Sequence, residues 1–269
     1  MTFSQTKIWM SVGAYVLVGT AAISPSVKAT EVKPEPSLRS ATAQVDRPIG
    51  LRLVAGIPTA TLAQGGESGA GAKPEDLSEG EKANAAFQDK LSGSALLSAL
   101  QKGGHIIYFR HAQTEKDYAD QADPNMKLGN CETQRKLSDV GIQQSKDIGS
   151  AFTAKKIPVG EVITSEYCRA WKTADLAFGK HQKNPKLNFL PFEDYTDAQV
   201  QEMKANVMPL LTAVPKGGTN TVIVGHDDIF EAATGIYPAP QGMAYVLTPD
   251  GKGSFILQAN MLPEDWAKL

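Results

Sequence analysis

The sequence predicts an α/β fold, a three-layer sandwich with helices on both faces of a mostly parallel central sheet. Two observations carry this. From about residue 76 onward, short apolar runs of strand length alternate with amphipathic helical patterns. The helical patterns open on Ser or Thr and close on Gly, which are the residues that caps demand.

Each element can be justified in chain order. Residues 94–101, with Ala95, Leu96, Leu97 and Leu100, read as a helix closed by Gly103 and Gly104. Residues 105–109 form a buried strand. Ser138 caps a helix running to about residue 154, with Ile142, Ile148 and Phe152 turned inward. Residues 161–164 make a second strand, and 167–178 a helix stopped by Gly179. Residues 187–190 are expected as a short strand. Thr196 caps the clearest helix, along which Val200, Met203, Val207, Leu210 and Leu211 share one face, and residues 215–218 end it. A strand over 219–224 precedes a short helix over 228–234. The runs 244–247 and 254–257 flank Pro249-Asp250-Gly251-Lys252-Gly253 as a hairpin.

The chain ahead of this domain differs. An apolar run from Ile8 to about Ile23 follows Lys7, and Val27-Lys28-Ala29 obeys the small-x-small rule, so residues 1–29 are expected to be a secretory signal peptide. After its removal no stable membrane span is expected, and the mature chain would be periplasmic or secreted. Residues 30–80 lack aromatic side chains and are rich in Gly, Pro, Ser, Ala and Thr. They cannot bury enough apolar surface to offset ordering, and read as a disordered tether in which only the patch 49–57 could dock. The catalytic domain is expected over 81–269. Its substrate is not a nucleic acid: 27 Lys and Arg against 29 Asp and Glu leave a formal net charge of -2. Two cysteines with no Cys-x-x-Cys pair make neither a disulfide scaffold nor a zinc ribbon.

Ligands of open α/β sheets bind beyond the carboxyl ends of the strands. Arg110-His111 follows the first strand, Ser165-Glu166-Tyr167-Cys168-Arg169 the second, and His226-Asp227-Asp228 the strand over 219–224. If these strands are neighbours, two imidazoles and two guanidinium groups converge. Arginine forks match phosphate oxygens. A neutral imidazole is a competent nucleophile at phosphorus, and a second can donate a hydrogen bond to the transferring group. A carboxylic acid is still needed to protonate the departing alkoxide.

Four motifs in order resemble those of the histidine phosphatase superfamily, the phosphoglycerate mutase-like branch. Arg110-His111-Ala112-Gln113-Thr114 is similar to its Arg-His-Gly-x-Thr signature. Leu137-Ser138-x-x-Gly141 with Gln143-Gln144, Ser165-x-x-x-Arg169-x-x-x-Thr173-Ala174 and Val222-Ile223-Val224-Gly225-His226 resemble the later elements. The resemblance implies that His111 is the phosphate acceptor and that Arg110, Arg169 and His226 complete the pocket, with Gln113 and Thr114 at the substrate. For the acid it implies Glu193, favoured, or Asp227; Asp194 and Asp228 read as solvated or capping neighbours. Ala112 replaces the usual glycine, and Glu115-Lys116-Asp117-Tyr118 departs from the mutase pattern.

Cys131, in the loop after the nucleophile, and Cys168, beside Arg169, are expected to bridge in an oxidising compartment. The expectation is an exported phosphatase, a phosphomonoester hydrolase using a phosphohistidine and requiring no metal or other cofactor. Its partner is a small, hydrophilic phosphomonoester such as a sugar phosphate or envelope glycan phosphate, suggested by the polar loop 113–135. Three alternatives stand: a non-catalytic anion binder, a mutase-type phosphotransferase, and a metal-dependent hydrolase built on His226-Asp227-Asp228.

Overall fold

The computed structural model describes residues 77–115, 123–190 and 195–269. The expected signal peptide, the patch 49–57, and Glu193 and Asp194 all lie outside the described residues. Helix α1 (Glu79–Ala85) starts under a Ser78–Glu81 capping box. There follow α2 (Gly93–Lys102), β1 (Ile106–Arg110), α3 (Asp139–Ala154), β2 (Val159–Thr164), α4 (Cys168–Phe178) and β3 (Gln182–Lys183). After them come α5 (Asp197–Leu211), β4 (Asn220–Gly225), α6 (Asp227–Thr234), β5 (Ala244–Pro249) and β6 (Phe255–Met261).

Local chemistry sets most of these ends. Ser138 Oγ accepts from the Gly141 N–H, and Thr196 forms a capping box with Gln199. Helices α4 and α6 stop at Gly179 and Gly235, both left-handed, where any side chain would be strained. One expected strand is corrected. Residues 187–190 are not a strand; Pro185–Leu187 is a 3-10 turn, and the edge strand is Gln182–Lys183. Asn184 accepts from the Lys186 N–H and Pro185 presets its φ, so a turn starts before the apolar residues can pair.

The sheet runs β3-β2-β4-β1-β5-β6. The first four are parallel, while β5 is antiparallel to β1 and β6 to β5, as the hairpin pattern predicts. Strand β1 alternates between two cores. Ile107 and Phe109 face α2, α3 and α4, where Phe152 and Trp266 pack; Ile106 and Tyr108 face α5 and α6, where Met203, Val207, Ile229 and Phe230 pack. Both faces are covered, so the central strands read as apolar throughout. Ile148 and Phe152 are buried as expected, and Ile142 is half-buried. Truncating one such side chain to alanine would cost about 2–5 kcal/mol. No helix among the described residues is long and apolar enough to cross a membrane.

Register places the chemistry. Arg110 pairs with Gly225 and Thr164 with Val224, so β1, β2 and β4 end almost level. The next residues, His111, Ser165 and His226, therefore leave the sheet side by side. Gly225 is glycine for a spatial reason: a Cβ there would run into the Tyr108 hydroxyl.

Candidate active site

The His111 imidazole is 1% exposed and its orientation is set from both ends. Nδ1 lies 2.9 Å from the Ala112 carbonyl, an acceptor only, so Nδ1 carries the proton. Nε2 is then the lone-pair nitrogen, and it accepts from Arg169 Nε at 3.1 Å. The His226 ring stands 5.5 Å away, centre to centre, at 64°. Its Nε2 is 2.7 Å from Ser165 Oγ, while its buried Nδ1 has no hydrogen-bond partner among the described residues. Edge contacts with Tyr167 and Phe189 fix the ring from the sides. Below it, the Tyr108 hydroxyl donates to the His226 carbonyl at 2.7 Å and accepts from the His226 N–H at 3.0 Å.

Three arginines surround these rings. Arg169, in the first turn of α4, lies over Tyr167 and Phe189. Arg110 pairs with Asp227 at 3.1 Å. Arg135 is buried, and its charge acts on both imidazoles. Residues 134–135 are held from two directions. Glu115 N donates to the Lys136 carbonyl, Thr114 bridges Leu137, and Gln134 Oε1 accepts from Cys168 N at 2.9 Å. The expected disulfide between Cys131 and Cys168 is present, with Cα atoms 5.6 Å apart, and ties this loop to the start of α4.

Burial first, then the arginine charges, push both imidazoles well below the ordinary histidine range, so both are neutral. The carboxyls of α6 diverge. Burial pushes Asp227 up, but Arg110 and the Tyr237 hydroxyl outweigh it and hold the group as a carboxylate. Asp228 is pushed up to about 8, by burial and then by the Asp227 charge. Asp228 is half-buried in the first turn of α6, and its raised value favours the protonated form. Among the described residues, no group of three His, Cys, Asp and Glu is placed to hold a metal ion, and Asp227 faces Arg110 instead.

The predicted Arg110, His111, Arg169, His226 and Asp227 thus come together. Gln113 and Thr114 lie just beyond: the Thr114 N–H and hydroxyl bond to Gln241 Oε1, and the Gln113 residue is exposed. Glu193 is outside the described residues. Sequence reasoning missed Tyr108, Tyr237 and the place of Arg135 beside the histidines. The glycine before His226 was the available signal for a close neighbour such as Tyr108.

No curated protein matches the chain in sequence. Solved structures that resemble it include the protein histidine phosphatase SixA complexed with tungstate, at 16% identity and TM-score 0.43, covering 60% of this chain and 98% of that one. A putative alpha-ribazole-5'-P phosphatase from Escherichia coli K-12 gives 16% identity and TM-score 0.44, covering 60% and 98%. Phosphoserine phosphatase from Entamoeba histolytica, in complex with 3-phosphoglyceric acid, gives 14% and 0.44, covering 58% and 95%. Residues 106–213 match the model of the histidine phosphatase superfamily (branch 1). That segment, which is similar to the superfamily, carries Arg110, His111 and Arg169.

Proposed function

We propose that this chain is an exported, metal-independent phosphomonoesterase that works through a phosphohistidine. The observation that carries the reading is the His111 ring: its Nδ1–H is spent on a carbonyl, and its Nε2 lone pair points at the Arg169 guanidinium, where phosphate oxygens would sit. Among the described residues, Arg110, Arg135 and Arg169 oppose one ionised carboxylate near the rings, Asp227. That positive surplus suits a phosphate dianion.

The steps follow from these groups. Nε2 of His111 attacks phosphorus as the bond to the alkoxide leaving group breaks. Arg110, Arg169, Arg135 and His226 Nδ1–H stabilise the equatorial oxygens. The alkoxide takes a proton from a carboxylic acid. Water then attacks phosphorus and gives its proton to the resulting carboxylate as the phosphorus–nitrogen bond breaks, which restores the His111 imidazole and releases phosphate. Asp228 suits the donor role because it is protonated at neutral pH, whereas Asp227 is tied up as the carboxylate on Arg110. Glu193 is the other candidate. Substrates are hydrophilic phosphomonoesters, a reading supported by the charged loop 113–135. Export is supported by the pattern of residues 1–29 and by the disulfide.

Turnover of p-nitrophenyl phosphate that persists in EDTA and disappears in His111→Ala is the expected result. An acid-labile phosphoenzyme should be trapped on rapid quench. Phosphate binding without turnover would leave only the non-catalytic alternative. Comparing alkyl phosphates with p-nitrophenyl phosphate in Glu193→Gln, Asp227→Asn and Asp228→Asn identifies the donor, because its loss slows formation of the phosphoenzyme more for poor leaving groups than for good ones.

A further inference from the structure

Arg110 ends β1, yet its guanidinium is held by chain that comes after His226. Nη1 donates to the Pro238 carbonyl at 3.1 Å, and Nη2 donates to the Tyr237 hydroxyl at 3.3 Å while pairing with Asp227 Oδ2 at 3.1 Å. The guanidinium carbon also lies 5.0 Å from the centre of the Tyr237 ring. Tyr237 and Asp227 are hydrogen-bonded to each other, so the three groups form a closed set. Tyr237 and Pro238 belong to no helix or strand. They are pinned by α1: the Tyr237 N–H donates to the Gly80 carbonyl at 3.0 Å, and Asn84 Nδ2 donates to the Ala239 carbonyl at 3.0 Å. Contact is tight, since a Cβ on Gly80 would strike the Glu231 carboxylate and press on Tyr237.

We infer that Tyr237 is a positioning residue for Arg110 and that α1 is its brace, so the helix that joins the N-terminal segment to the domain is part of the anion site. The inference rests on reading the crevice as a phosphate site. Its physical basis is preorganisation: a guanidinium fixed before the ligand arrives loses less freedom on binding and needs no rearrangement during the reaction. Helix α1 and Tyr237 both lie outside the segment 106–213 that matches the family. The brace therefore lies in the flanks of that segment.

The test uses the full chain, with inorganic phosphate as the probe in titration calorimetry and p-nitrophenyl phosphate for turnover. Tyr237→Phe deletes one oxygen, and Asn84→Ala removes one prop of the brace. Each is expected to raise the phosphate Kd about 3- to 10-fold, the range of a single hydrogen bond. A second readout separates positioning from general loosening. The titratable and charged groups around Asp227 are Arg110, Tyr108, Arg135, Asp228, Glu231 and Tyr237. The Tyr237 hydroxyl helps hold Asp227 ionised. The ratio of the Tyr237→Phe Kd to the wild-type Kd should therefore change across the Asp227 titration, whereas loosening alone would keep that ratio the same at every pH. Should Asn84→Ala unfold, Tyr237→Phe decides alone.

Unchanged affinity in folded variants, or a ratio of Tyr237→Phe to wild-type Kd that does not vary with pH, overturns the inference. Wild-type binding of phosphate without turnover would remove the phosphatase reading and leave this one standing on the affinities. A wild-type chain that binds no phosphate removes both.

Discussion

The parallel and antiparallel halves of the sheet meet at β1 and serve the crevice in different ways. From the parallel half come side chains: His111, Ser165 and His226 leave the carboxyl ends of β1, β2 and β4, and Arg169 follows β2 in the first turn of α4. The segment leading into β5 contributes mainly backbone. The Met243 carbonyl accepts from Arg110 N, the Gly242 N–H donates to the His111 carbonyl, and the Pro238 carbonyl receives the Arg110 guanidinium. One half holds the reactive groups and the other holds the chain that carries them. Reactive groups must be particular residue types; a carbonyl can come from almost any residue.

The largest effect that could break this division is at His111. His111→Ala should lower kcat on p-nitrophenyl phosphate by about 10⁴-fold or more, as expected for loss of a nucleophile. A residual rate within tenfold of wild type would move the chemistry elsewhere. Next comes the covalent link inside the motif-bearing half. The bridge between Cys131 and Cys168 has a sequence separation of 37 residues. Replacing both cysteines with serine should remove about 3–4 kcal/mol of stability by the chain-entropy account, read from urea midpoints. A midpoint that does not move would mean that packing alone holds the loop.

Much of the motif-bearing half was legible. Strands buried on both faces are apolar runs, and an Arg-His or Gly-His pair directly after such a run stands out. The bridge was legible too, because both cysteines flank the same predicted crevice. Other features left no mark. Strand β3 is two exposed polar residues, too short for any period. The Tyr108 hydroxyl reaches His226 from inside a strand that looks purely structural. Pro238 and Met243 act through carbonyls, which carry no sequence signal. Arg135 sits in irregular chain, and only burial against both imidazoles distinguishes it from its neighbour Lys136.

That neighbour sharpens the comparison at the next level down. Arg135→Ala should reduce kcat/KM by about 10- to 100-fold, the value of a charge-assisted hydrogen bond to the transferring group. Lys136→Ala removes the same formal charge one residue on, from a side chain paired with Glu132 at the surface. It should change kcat/KM by less than about twofold, since such pairs contribute little. Equal effects of the two substitutions would mean a diffuse field, not a placed guanidinium.

The smallest effect concerns stability and tests whether α6 is strained for function. Asp228 has a folded value of about 8 against an ordinary carboxyl value of 3.8, raised by burial and by Asp227. Between those values the folded chain holds a proton that the unfolded chain releases. Stability from this group is complete below about pH 4 and is lost as pH rises through about 8. Asn cannot ionise, so Asp228→Asn should unfold at nearly the wild-type temperature at pH 4 and above it at pH 8.5, by a margin that grows as pH rises. Thermal scans of both proteins across that window provide the check. A gap that does not widen with pH would mean that Asp228 is solvated after all. A widening gap, together with slowed turnover of alkyl phosphates in the same variant, would mean that a protonated carboxyl is kept for catalysis at the expense of stability.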